Sequence, residues 1–280
     1  MNPPIELSAS QMTTFMTCRE KWRLAKIERL VPVKPAIHLV FGQAVHYAIE
    51  SFWNGDSYEN SYAGAAHILE MTDQSLLTPL EIKRFDEMWD SLPDILKVYW
   101  EEREQDVSAQ EMVETEWVQT EYLPGVSLTG RIDRFTKQWE LFEVKTASEV
   151  RPQTWKKDYK EAALRDYALG LYNWYLCRAG MVPCSIQMEV ILKPYKDKPA
   201  RLEVIDLNEI MYYRDRFKQQ LKWVVSEMAH YIRTYSRVSP WPMAPKDICV
   251  GKFGPCEYLP VCNHGRTDKT MKLYTIREAA

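Results

Sequence analysis

Two short stretches decide the fold: Gly130-Arg131-Ile132-Asp133-Arg134-Phe135 and, after a short gap, Leu141-Phe142-Glu143-Val144-Lys145-Thr146. Apolar and polar residues alternate in both, which predicts two successive β-strands. Side chains alternate across a strand, so Glu143 and Lys145 share one face of the second strand and Val144 takes the other. The pattern therefore predicts a sheet that presents acids and an amine on one side.

Further elements follow on either side of this pair of strands. An alternating segment with a turn at Pro124-Gly125 predicts a β-hairpin over 111–135. Further strands are predicted at 139–146, 186–192 and 201–207. Helices are predicted at 8–30 with Ser8 or Ser10 as N-cap, from Phe41 through Phe52, at 62–71, at 79–104 with a kink or break at Pro93, at 161–178 and at 208–235.

This order of elements predicts an α/β fold in which helices flank a mixed central sheet around one core. We expect a single domain over 1–280. Its parts are a mainly helical N-terminal region (1–110), a core of sheet and helix (111–207), and a long helix with a cysteine-rich C-terminal tail (208–280).

Composition excludes several classes of protein. The chain is 46% hydrophobic and 27% charged, which is typical of a globular protein and excludes disorder. A net charge of -3 argues against a strongly basic nucleic-acid coat protein, although a local basic patch can still bind DNA. The sequence has neither a membrane-length apolar run nor a secretory signal, so we expect a cytoplasmic protein with no membrane partner.

The paired strands carry groups suited to phosphodiester chemistry. Mg2+ prefers carboxylate oxygens, which Asp133 and Glu143 supply, and Lys145 could orient the attacking water or stabilise negative charge. A solvated strand face with an ordinary Glu–Lys pair is the alternative interpretation of these residues taken alone.

The same residues resemble the active-site signature of the PD-(D/E)xK nucleases, in particular the branch with the RecB and AddB nuclease domains, Cas4 and related phage exonucleases. The segment Phe41-Gly42-x-x-Val45-His46-x-x-Ile49-Glu50 resembles the histidine motif of that branch, and Val113-Glu114-x-x-Trp117 its strand-borne glutamate. The resemblance extends from about Leu7 to Cys262. It implies a restriction-endonuclease-like core that hydrolyses DNA with a metal-activated water.

The resemblance also implies roles for individual residues. The metal, Mg2+ or Mn2+, would be held by His46, Asp133, Glu143 and the carbonyl of Val144, with Lys145 as the catalytic lysine.

Two further positions carry the resemblance less exactly. Glu114 would be an accessory acid, although Glu116 lies on the same strand face and could take its place. Tyr172 matches the tyrosine of the helix that follows the sheet strands, but Ala168 stands where the family has glutamine. A neighbour such as Arg165 or Asp166 could substitute for that glutamine.

Six cysteines are present, and three of them, Cys249, Cys256 and Cys262, crowd into the tail. Together with Cys18 they resemble the ligands of a [4Fe-4S] cluster in iron–sulfur members of the same branch. Gaps of six and five residues fit a structural zinc knuckle poorly, yet zinc and unbound thiols remain alternatives. Cys177 and Cys184 are predicted to be buried small residues.

Lys156, Lys157 and Lys160, beside Trp155 and Tyr159, are candidate DNA contacts, since bases stack on aromatic rings while lysines bind phosphates. A solvated helix face is the alternative.

The sequence thus predicts an exonuclease or end-processing nuclease of recombination, repair or phage DNA metabolism in a bacterial or phage-infected cell. Its substrate would be single-stranded DNA or DNA ends rather than intact duplex, and repair or recombination proteins its partners. A non-catalytic DNA-binding scaffold module and a Cas4-type CRISPR-adaptation nuclease are the alternative functions.

Overall fold

The computed structural model describes residues 5–147, 155–195, 198–235, 241–251 and 254–277, apart from the side chains at 107–120, 246, 251 and 254. Within it the chain divides into two compact units. The first unit comprises Met1–Lys34, Val118–Thr129 and Lys218–Ala280. The second comprises Pro35–Trp117 and Gly130–Phe217, and it contains both of the strands that decide the fold.

Helices and strands are mixed along the chain. The helices are α1 (Ala9–Thr17), α2 (Arg19–Trp22), a π-helical segment (Arg23–Ile27), α3 (Ile37–Trp53), α4 (Tyr58–Glu70), α5 (Pro79–Arg103), a 3-10 segment (Glu104–Ala109), α6 (Trp155–Ala163), α7 (Tyr167–Arg178), α8 (Glu209–Tyr212), α9 (Arg214–Thr234), α10 (Lys246–Cys249), α11 (Leu259–His264) and α12 (Asp268–Met271). The strands are β1 (Ile5–Ser8), β2 (Leu30–Pro32), β3 (Gln110–Leu123), β4 (Val126–Thr136), β5 (Glu140–Ala147), β6 (Ser185–Leu192), β7 (Arg201–Asp206), β8 (Val250–Gly251), β9 (Gly254–Pro255) and β10 (Tyr274–Ile276).

The sheet of the second unit is mixed, as the sequence predicts. Strand β5 runs antiparallel to β4 and parallel to β6, and β6 runs antiparallel to β7. Parallel neighbours need a long crossover, which explains why the segment with α6 and α7 lies between β5 and β6 in the sequence. In the β5–β6 register Glu143 lies opposite Met188 and Val144 opposite Glu189.

The core of the second unit fixes which face of β5 is buried. Helix α3 directs Phe41, Val45 and Phe52 into a cluster that also contains residues of α4 and α5. Val144 and Ile191 join this cluster from the sheet. Because neighbouring residues of a strand point to opposite faces, burial of Val144 places Glu143 and Lys145 on the other face.

The first unit combines short strands with a buried ion pair. Strand β1 pairs in parallel with the beginning of β4, and β2 pairs with β10. The buried Arg23 donates two hydrogen bonds to Glu20, whose carboxylate also accepts from the backbone N–H of Trp241. Tyr258 donates to the carbonyl of Leu30, so the C-terminal tail is bonded to the segment after the π-helical turn.

The predicted hairpin and strands are confirmed. Strands β3 and β4 pair on either side of a turn at Pro124-Gly125, where Gly125 has a φ of +73° that favours glycine. Strands β5, β6 and β7 lie within one residue of their predicted bounds. The 79–104 helix is also confirmed, but it continues through Pro93, so the predicted break there is wrong.

The continuous helix predicted over 8–30 is wrong. Helix α1, capped by Ser8, ends at Thr17 because Cys18 has an extended backbone. The Cys18 sulfur then accepts a hydrogen bond from the Lys21 N–H and so caps the start of α2. Capping by one side chain interrupts a helix locally, so the spacing of apolar residues does not reveal it.

The single helices predicted over 161–178 and 208–235 are wrong in the same way. The first divides before α7, because the side chain of Asp166 accepts from the Ala168 N–H and acts as its N-cap. The second divides at Tyr213 into α8 and α9. The break at Asp166 matters for the site, since it sets the start of the helix that carries Tyr172.

None of the helices in the described ranges is both long enough and apolar enough to cross a membrane.

Candidate active site

Asp133 is held against the Glu143–Lys145 segment by a hydrogen bond between neighbouring strands. Its Oδ2 accepts from the backbone N–H of Val144 at 2.8 Å. A charged acceptor makes such a bond stronger than one between neutral groups. The bond therefore fixes the Asp133 carboxylate beside the segment of β5 that carries the other two charged side chains.

Glu143 is a buried carboxylate, only 3% exposed. Its Oε1 forms an ion pair with the Lys145 ammonium, while its Oε2 has no hydrogen-bond partner among the residues that the structure describes. Burial and the negative charge of Asp133 raise the pKa of Glu143 to about 7. A buried carboxylate oxygen without a partner is costly, and a cation bound there would remove that cost.

Lys145 is positively charged in this arrangement. Burial opposes its charge, but the carboxylates of Glu143 and Asp133 outweigh burial and raise the pKa of the ammonium. A lysine with a raised pKa cannot take a proton from water near neutral pH, so the structure favours a role for Lys145 in stabilising negative charge.

His46 reaches the same carboxylate from α3. Its Nδ1 lies 3.9 Å from Oδ1 of Asp133, and its side chain is partly exposed. The buried stripe of α3, which includes Val45 and Ile49, turns His46 toward the sheet rather than into the core. The structure thus brings His46, Asp133, Glu143 and Lys145 together.

Tyr172 and Asp166 add a third element to the site. Burial and the charges of Glu143 and Asp133 raise the pKa of Tyr172, whose hydroxyl is hydrogen-bonded to the backbone of Arg131. The charge of Asp166 acts on Glu143, Lys145 and Tyr172, so this helix cap lies near all three. The sequence suggested Asp166 only as one substitute for the glutamine missing at Ala168.

Glu50 and Arg131 were missed at the sequence level. The Arg131 guanidinium pairs with Glu50, with 3.0 Å between Nη2 and Oε2. Two spacings could have revealed the pair: Glu50 is four residues after His46 on a helix, and Arg131 is two before Asp133 on a strand.

The predicted divalent metal fits the donors that are present. Among the described residues no three His, Cys, Asp or Glu side chains converge closely enough to form a ready metal site. Nevertheless the unpartnered Oε2 of Glu143, the fixed Asp133 carboxylate and the imidazole of His46 are groups that bind Mg2+ or Mn2+.

The accessory acid cannot be compared with its prediction. Glu114 and the alternative Glu116 lie in β3, but their side chains are outside the described residues. Their assignment stays a prediction.

The three candidate DNA-contacting lysines all form ion pairs with glutamates. The pairs are Lys156 with Glu203 at 2.6 Å, Lys157 with Glu161 at 3.8 Å and Lys160 with Glu209 at 2.6 Å. Trp155 beside them is buried, and Tyr159 is partly buried near Lys145. DNA would have to compete with these glutamates, and the role of the lysines stays a prediction.

Four of the six cysteines gather in the first unit. Burial, Glu20 and the thiols of Cys256, Cys18 and Cys249 raise the pKa of Cys262 to about 12, so these thiols lie near Cys262. Among the described residues, however, the four sulfurs do not form a ready metal site. Of the other two, Cys177 is partly buried and Cys184 is exposed. The prediction that Cys184 is buried is wrong, because it lies at a strand start where its thiol reaches the Gln138 carbonyl.

The sheet, the paired acids and the lysine define a nuclease of one superfamily. Residues 6–263 match the model of the PD-(D/E)XK nuclease superfamily, so the chain belongs to that superfamily. A crystal structure described as a "putative exonuclease" from Eubacterium rectale is 14% identical, with a TM-score of 0.49, over 94% of this chain and 88% of that chain. A search of curated proteins gave no match.

Proposed function

We propose that this protein is a metal-dependent DNA nuclease that acts at DNA ends or on single strands. One observation carries the proposal: within the described part of the chain, the buried Glu143 carboxylate has an oxygen without a partner, next to Asp133 and a charged Lys145. A protein that only bound DNA would gain nothing from burying an acid where phosphates must approach.

His46, Asp133, Glu143 and the Val144 carbonyl would hold Mg2+ or Mn2+. The ion would supply Lewis-acid stabilisation of the phosphate and lower the pKa of the attacking water. Lys145 donates hydrogen bonds to the charge that develops on the phosphate. Tyr172, with its raised pKa, remains a neutral phenol that can hydrogen-bond to substrate.

The preference for ends and single strands rests on the resemblance to phage exonucleases and RecB-type nuclease domains. A role in recombination, repair or phage DNA metabolism would follow from that preference. The retained group of Asp133, Glu143 and Lys145 disfavours the alternative of a non-catalytic scaffold module.

Asp133→Asn should abolish cleavage of DNA. The change removes one carboxylate charge while it keeps an oxygen that can accept from Val144. We expect the wild type to degrade end-labelled single-stranded and duplex DNA with Mg2+ or Mn2+ but not with EDTA. The variant should be slower by roughly 100-fold or more. A closed circular duplex serves as the comparison for end dependence.

Equal activity of the two proteins would contradict the catalytic proposal, as would a wild type that is inactive with both metals. Cleavage of the closed circle as fast as of linear DNA would contradict only the preference for ends.

We further propose that Cys18, Cys249, Cys256 and Cys262 bind a [4Fe-4S] cluster. The thiols of Cys18, Cys249 and Cys256 lie near that of Cys262, and thiolates are the ligands that such clusters require. Backbone N–H groups of Lys21 and Ala244 already donate to the Cys18 sulfur, as they would to a bound thiolate. A cluster would tie α1 to the C-terminal tail, across more than two hundred residues of sequence.

Protein purified without oxygen should therefore be brown and absorb near ~400 nm, since Cys-ligated iron gives such bands. Cys262→Ser should lose the absorbance and most of the bound iron, whereas Cys184→Ser, at an exposed cysteine, should keep both. A colourless wild type that contains zinc would show that the cysteines bind zinc instead of the cluster. A colourless wild type free of metal would show unbound thiols.

A further inference from the structure

An ion pair and a histidine–carboxylate contact join α3 to β4 beside the candidate metal site. His46 approaches Asp133, and one helical turn further along Glu50 binds Arg131 at 3.0 Å. The spacings explain this arrangement, because residues four apart on a helix and two apart on a strand lie on one face. Arg131 therefore lies next to Asp133 along the strand, about 7 Å away at the backbone.

The Arg131 side chain is placed to meet substrate rather than to stabilise the core. It is 55% exposed, while its partner Glu50 is 29% exposed. An ion pair so accessible to water contributes little to stability. Its neighbour Arg134, by contrast, is buried on the other face of β4.

The backbone of Arg131 is also fixed to the site. It is hydrogen-bonded to the Tyr172 hydroxyl, which itself lies near Glu143 and Asp133. The guanidinium thus projects from a strand position that is anchored at the metal site. A guanidinium can bind a carboxylate and a phosphate through different N–H groups, and its planar shape suits both.

From this geometry, and on the basis of the proposed nuclease function, we infer that Arg131 binds the DNA phosphate next to the scissile one. Glu50 binds the guanidinium before DNA is present, and the phosphate replaces Glu50 as its partner when DNA binds. The site has an excess of acids over cations before a metal binds, so an arginine on the substrate side would offset the repulsion between these acids and DNA.

Steady-state cleavage at several salt concentrations tests this inference. Arg131→Gln should raise KM roughly 10-fold or more with kcat changed much less, since a hydrogen bond to a charged group is lost at binding. The slope of log kcat/KM against log salt should fall by about one, as expected for one lost phosphate contact. Arg131→Lys should restore the slope but only part of the affinity.

Glu50→Gln should act in the opposite direction and lower KM, because it removes the competing anion without removing the phosphate ligand. Lys137→Gln is the matched control: it removes an exposed positive charge six residues further along the chain, and it should leave KM and the salt slope unchanged.

If the Arg131–Glu50 pair is merely structural, Arg131→Gln and Glu50→Gln will lower thermal stability alike and leave KM unchanged. That result, in an enzyme whose wild type cleaves DNA and whose Asp133→Asn variant does not, would overturn the inference and leave the proposed function standing. A wild type that does not cleave DNA would overturn both.

Discussion

Lys145→Ala should reduce DNA cleavage by roughly 100- to 1,000-fold, the usual cost of removing one positioned donor from developing negative charge. The substrate's KM should change far less than kcat, because this interaction strengthens as charge develops on the phosphate. The measurement is single-turnover cleavage of end-labelled DNA with saturating Mg2+ or Mn2+.

The structure gives the physical reason for this expectation. The ammonium of Lys145 is paired with Glu143, and the carboxylates of Glu143 and Asp133 keep its pKa raised. Lys145 therefore enters the reaction as a cation at any pH near neutrality. Lys145→Arg keeps the charge but not the shape of the donor, so it should recover part of the lost rate.

The variant should remain folded. Without Lys145 the buried Glu143 can protonate, since its pKa is already raised to about 7. Lys97→Ala is a suitable control, because Lys97 lies on the surface of α5 in an exposed pair with Glu101. If Lys145→Ala cleaved DNA as fast as the wild type, the catalytic role would be contradicted. An equal loss of rate in Lys97→Ala would contradict it as well.

Glu189→Ala should lower the free energy of unfolding by about 3–5 kcal/mol, the usual cost of removing one partner from a buried ion pair. Glu189 is completely buried, and its Oε1 lies 2.5 Å from Arg134 Nη2 and 2.9 Å from Arg103 Nη2. Its Oε2 accepts from the Tyr99 hydroxyl at 2.9 Å. Removing the carboxylate leaves two guanidinium groups without their shared anion.

The consequences of this loss should reach the site. Arg134 is next to Asp133 in sequence and lies between the rings of Trp53 and Phe142. Glu189 also lies opposite Val144 in the sheet, between the two charged residues of β5. We therefore expect cleavage to fall along with stability in this variant.

Urea unfolding followed by circular dichroism measures the effect. Glu203→Ala is the matched control, because Glu203 lies on the adjoining strand β7 and pairs with Lys156 and Arg201 near the surface. It should cost no more than about 1 kcal/mol. Equal losses in the two variants would show that burial of Glu189 does not carry the expected penalty.

The local sequence was sufficient for the strands and for the central motif. Alternation predicted β5 and the hairpin, and the resemblance of the segments around Asp133, Glu143 and Lys145 to a nuclease signature was enough to expect a nuclease. The prediction of continuous helices failed at Cys18 and Asp166, where a single side chain caps a new helix inside a segment of helical periodicity. Periodicity is summed over many residues, whereas a cap depends on one.

The sequence by itself determined that Glu143 and Lys145 share one face of β5 and Val144 the other, because alternation on one strand fixes which groups share a face. Only the tertiary structure decided that one Glu143 oxygen lacks a partner among the described residues, that Glu50 binds Arg131, and that Glu189 pairs with two arginines. Each of these depends on segments distant in sequence that packing brings together. Burial then sets the electrostatic cost of every charge among them.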